Sequence, residues 1–159
     1  MNFDSPSSRE QSLYDESFVQ HPDFAEQTVL AAVRTWLRPQ CDVVRRSKDW
    51  HDVLHDAGMT AEGIGYFDTL MRALMCASCR PLDTRCRCAT DLAKDEGSLL
   101  QIIALLQRTS GDAAMQILND WLPPPTVSRV LKIVRWFAIS LLDAGLVIQV
   151  RVRRVTYMH

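Results

Sequence analysis

Apolar residues recur along this chain at helical spacing in six successive runs. The first run is Val29, Leu30, Val33, Trp36 and Leu37. It follows Asp23-x-x-Glu26, a capping-box-like start, and Pro39 ends it. Ser47 is placed to cap a second, short helix with Trp50, Val53, Leu54 and Ala57 on its apolar face, and Gly58 stops it. Thr60 precedes a third stripe made of Ile64, Phe67, Leu70, Met71, Leu74 and Met75.

Asp95 and Glu96 suit the positive end of a fourth helix. Its body, Leu99 to Leu106, is apolar almost all round and calls for a central position. Ser110-Gly111-Asp112 punctuates the chain before a fifth helix, in which Met115, Leu118, Trp121 and Leu122 are expected to face inward. After Pro123-Pro124-Pro125, Thr126 is the expected cap of a long sixth helix that ends at Gly145. There Ser128, Lys132, Arg135 and Asp143 make a narrow polar stripe, and nearly everything else is apolar. Two helices this apolar in one small chain require a central position or a partner subunit.

The spacing changes at the C-terminus. From Leu146 to Tyr157, Val and Ile alternate with Gln and Arg, a strand-like pattern. Residues 1–20 are polar and read as a flexible tail. The expected fold is therefore all-α: a single domain over residues 21–159, a bundle of about six helices with a short extended or strand-like C-terminal tail. Its 159 residues suffice for one core.

A net charge of -1 supplies no general attraction to nucleic acid or an anionic membrane. No apolar leader opens the chain, and the longest apolar stretch, Ile133 to Ile148, is broken by Arg135 and Asp143. The expectation is a cytoplasmic protein with no membrane contact. Nucleotide-binding, hydrolase and kinase signatures are missing, which weighs against an enzyme.

Cysteine chemistry concentrates between the third and fourth helices, where Cys76, Cys79, Cys86 and Cys88 read C-x2-C-x6-C-x-C. Four thiolates suffice to hold zinc or iron and would staple a long connector. Alternatively, Arg80, Arg85 and Arg87 favour thiolates and make the cluster redox-sensitive, or Cys76 and Cys79 are plain core residues. His51 and His55, four apart on one helix face, are a second candidate metal pair, with Cys41 or Asp56 as further ligands. His51-Asp52-x-x-His55 also looks like the zincin H-E-x-x-H with Asp52 in place of the general base.

Thr126-Val127-Ser128-Arg129-Val130-Leu131-Lys132, followed by Ala144-Gly145-Leu146-Val147 and an Arg-rich strand, resembles a winged-helix regulator of the ArsR type. The resemblance covers the last quarter of the chain. It implies DNA contacts from Ser128, Arg129 and Lys132, and phosphate contacts from Arg151, Arg153 and Arg154. Read from the residues alone, the same segment is a long packing helix with a basic tail, and that reading is preferred. The function expected first is a non-enzymatic interaction or regulatory protein, a homodimer that binds an unidentified protein. DNA binding is the alternative.

Overall fold

Each of the six apolar runs forms a helix. The computed structural model describes residues 23–38, 48–87 and 89–150. Among the described residues the helices are α1 (Phe24–Leu37), α2 (Trp50–Asp56), α3 (Ala61–Ala77), α4 (Lys94–Gln107), α5 (Gly111–Trp121) and α6 (Pro124–Asp143). No strand forms among the described residues. The tail over residues 1–20, Cys41, Ser47, Cys88, Arg151, Arg153 and Arg154 lie outside them.

Short-range chemistry sets the helix ends. The Asp23 carboxylate accepts from the Glu26 amide at 2.9 Å, and the Thr60 hydroxyl accepts from the Gly63 amide at 3.2 Å. Gly58 and Gly145 have φ of 94° and 78°, where a Cβ is strained. At Gly145 the chain makes a Schellman turn: the Leu146 amide donates to Leu141 O and the Gly145 amide to Leu142 O.

Two starts differ from the sequence expectation. At α2 the side chain that meets the first turn is Asp49, which accepts from the Trp50 amide at 2.8 Å. In α6, Pro123 takes the cap position and the helix begins at Pro124, because proline's fixed φ and missing N–H cost nothing in a first turn. Thr126 therefore sits inside the helix, its hydroxyl donating to Pro123 O at 2.8 Å.

The long sixth helix is the organising element. It packs against α3, α4 and α5, while α1 packs against α2 and α4. The α3 and α6 axes run antiparallel, since Tyr66 faces Trp136, Phe67 faces Phe137, and Gly63 lies against Ser140. Phe67 and Phe137, with ring centroids 5.4 Å apart, sit fully buried in the core beside Leu70, Leu74, Ile103 and Leu141. The α4 body is buried as its all-round apolar sequence requires. Met75 and Met115 were expected inside but are exposed. Each lies about 100° beyond a buried neighbour, Leu74 or Ala114, on its helix.

After the Schellman turn the chain runs extended along the bundle, with no partner strand among the described residues. Leu146 and Ile148 are buried, and Val147 and Gln149 face out. Gln107 takes the part of a neighbouring strand. Its side-chain oxygen accepts from the Ile148 amide at 2.8 Å, and its side-chain nitrogen donates to Leu146 O at 2.9 Å. Arg108 also donates to Ile148 O, at 2.8 Å.

Candidate functional site

The cysteine-rich connector is held to the bundle by carboxylates and guanidiniums. Glu96, in the first turn of α4, receives Arg34 Nε at 2.6 Å and Nη2 at 3.1 Å. The same carboxylate accepts from the Ala93 and Arg85 amides at 3.0 and 3.1 Å. Arg34 also donates through Nη1 to the Ala89 carbonyl and through Nη2 to the Asp91 carbonyl, both at 2.9 Å. Next to it, Asp95 receives Arg80 in a bidentate pair at 2.8 and 3.0 Å, and the Asp83 amide.

Burial alone would raise the Asp95 carboxyl. The Arg80 hydrogen bonds and the Asp83 amide outweigh it and hold the group below the usual carboxylate range. The work expected of a metal, stapling residues 78–93 to the start of α4, is thus done by two acidic residues and two arginines.

The thiols are arranged differently from the expected four-thiolate shell. Cys76, Cys79 and Cys86 are exposed, and no group of three or more His, Cys, Asp or Glu ligands converges among the described residues. Cys88 lies outside those residues. The arginines expected to activate the thiols face oxygen partners: Arg80 the Asp95 carboxylate, Arg85 the Asp91 carboxylate at 3.0 Å, and Arg87 the Lys48 carbonyl at 2.7 Å.

His51 and His55 are both exposed on α2. The Trp50 ring meets His51 edge-on at 5.7 Å, and His55 Nδ1 lies 3.9 Å from Asp56, which Lys48 also engages. No third ligand joins them among the described residues.

The most distinctive surface runs along the outer side of α6, and only its Trp136 end adjoins α3. Trp136, Ile139 and Leu142 are 48%, 41% and 38% exposed, a large apolar group on the outer side of a helix whose inner side is fully buried. Trp136 stacks on Tyr66 of α3, with centroids 5.8 Å apart and planes within 20°. Towards the start of α6 the seam opens into a groove of about 300 Å³. Ala73, Ala77 and Val130 give it an apolar lining, to which Arg72, Cys76 and Arg129 add polar groups.

Ser128, Arg129 and Lys132 are exposed on this part of α6. Arg72 is tied by its Nε to Asp68 at 2.9 Å, so its outer nitrogens remain available. The sequence reading placed Arg129 and Lys132 at a surface. It counted Trp136 and Ile139 only within the apolar remainder of the sixth helix and overlooked Tyr66. The available signal was the three-residue spacing of Trp136, Ile139 and Leu142, which leaves them on one side of a helix already supplied with a buried face. Compared with protein-family models, with curated proteins and with solved structures, the chain matches none.

Proposed function

We propose that this is a non-enzymatic interaction protein whose working surface is the outer side of α6 together with its seam with α3. The observation that carries the reading is the exposed cluster of Trp136, Ile139 and Leu142, contiguous on one helix and extended by the Tyr66 ring. Single exposed apolar side chains are ordinary on protein surfaces; a contiguous group anchored by tryptophan is typical of a binding surface. The surrounding chemistry suits docking rather than catalysis. The apolar centre is rimmed by Arg72, Arg129 and Lys132 on one side and Asp143 on the other, and no nucleophile–base pair accompanies it among the described residues.

A photo-cross-linking residue placed at Ile139 tests this in producing cells. It is expected to give a discrete covalent adduct, while the same group at Gln116 on α5 gives none. No adduct from position 139 would refute the reading.

The second reading, duplex DNA binding, is favoured by one observation, the shared exposure of Ser128, Arg129 and Lys132 on α6. It predicts salt-dependent DNA retention that falls when Arg129 and Lys132 become Ala. Salt-independent or absent retention rules it out.

A further inference from the structure

We infer that the occupant of the α3–α6 seam is a second copy of this chain, related by a twofold axis through the Tyr66–Trp136 stack. The inference rests on the reading of that seam as the interaction surface and adds the identity and register of the partner.

Charge order along the seam is the starting point. On α6, Arg129 precedes Trp136 by seven residues and Asp143 follows it by seven. Seven residues are about two helical turns, so all three share one side of α6, each charge about 10 Å from the ring along the axis. Both charged residues are exposed, and neither has an ion-pair partner among the described residues.

The neighbouring helix carries the same order. Because α3 runs antiparallel to α6, its Arg72 lies towards Arg129, where both line the groove, and its Glu62 lies towards the Asp143 end. Tyr66 stands between them, its hydroxyl donating to Glu62 Oε1 at 2.8 Å. The seam is therefore basic at one end, acidic at the other and aromatic in the middle.

A surface of that kind complements itself. A twofold axis at the aromatic stack, perpendicular to the helices, turns the basic end of one copy over the acidic end of the other. Arg129 then meets the partner's Asp143, Arg72 meets the partner's Glu62, and the two Trp136 rings meet at the centre. Acidic peptides would satisfy only the basic end, and polyanions would leave Glu62 and Asp143 repelled.

The dimensions are adequate. Helices of 17 and 20 residues are about 25 and 30 Å long and lie about 8–10 Å apart, giving a face whose size is comparable to the roughly 800 Å² per partner of a standard interface. The rim ion pairs set register and orientation; the aromatic centre supplies most of the affinity.

Sedimentation of the full chain tests both identity and register. The expected mass is twice 18.1 kDa, with a Kd that rises at least about tenfold for Asp143→Arg and for Arg129→Asp separately. The double variant, which exchanges the two charges, is expected to recover most of the loss, with helical circular dichroism unchanged throughout. Trp136→Asp is expected to give monomer, and if it fails to fold the charge-exchange series still decides the outcome.

A chain that stays monomeric at about 100 µM overturns the inference. So does a dimer insensitive to both reversals, or one whose losses the double variant does not recover. If the Ile139 cross-link gives an adduct of another mass while the chain sediments as monomer, the interaction surface stands and the second copy is refuted.

Discussion

At the scale of single residues, Glu96 shows how one side chain serves several backbone requirements at once. As part of an acidic pair before an apolar run, it is legible in sequence as a helix start. Its role as the acceptor for Arg34 and for two connector amides is not, because Arg34 is 62 residues away and spacing carries no information about such contacts. Both partners are buried, so removing one leaves an uncompensated charge. Glu96→Ala is expected to lower unfolding free energy by about 3–5 kcal/mol, measured by urea titration. Asp95 adds a pH dependence. Its folded-state pKa is depressed, so its stabilisation is complete above the ordinary carboxylate value and lost as pH falls below about 4. Asp95→Asn is expected to reduce overall stability and to flatten that acid limb.

Among the elements, helix identity was readable because it depends on neighbours three and four residues away. The Asp23 and Thr60 caps and the Gly58 and Gly145 stops all follow from local chemistry. The pairing of α3 with α6 was not readable, since no local feature records which helix Gly63 will meet. A Cβ at Gly63 would lie 2.9 Å from Met59 Cε and 3.0 Å from Ser140 Cβ. Methionine's flexible end can move, but the Ser140 carbon is fixed to α6. Replacing glycine in a helix normally gains up to about 1 kcal/mol. Here Gly63→Val is expected to cost about 1–3 kcal/mol instead, by urea denaturation, with partial recovery in the Ser140→Gly background. Such a separation of α3 from α6 would also disturb the Tyr66–Trp136 stack, so weaker self-association is expected to accompany the lost stability.

For the whole molecule, the bundle is closed by a segment that is not helical. Over residues 146–150 the alternation reads correctly as an extended segment with one buried side, since Leu146 and Ile148 are inside. No neighbouring strand pairs with it among the described residues; the Gln107 amide supplies both a donor and an acceptor at the needed spacing. Ile148→Ala is expected to cost about 2–5 kcal/mol in thermal or urea unfolding, and Gln107→Ala about 1–3 kcal/mol. The hold on the connector was not readable either: its length and cysteine density do not reveal that two buried carboxylates tie the loop to α4.

The clamp on Ile148 has a consequence for the order of events in the cell. A ribosome delivers α4 about forty residues before it delivers the segment that Gln107 holds. Until then the nascent chain has its helices but an open flank beside α4, with Leu146 and Ile148 not yet in place. Closure of that flank therefore waits for residues 146–148, which are made after every helix among the described residues.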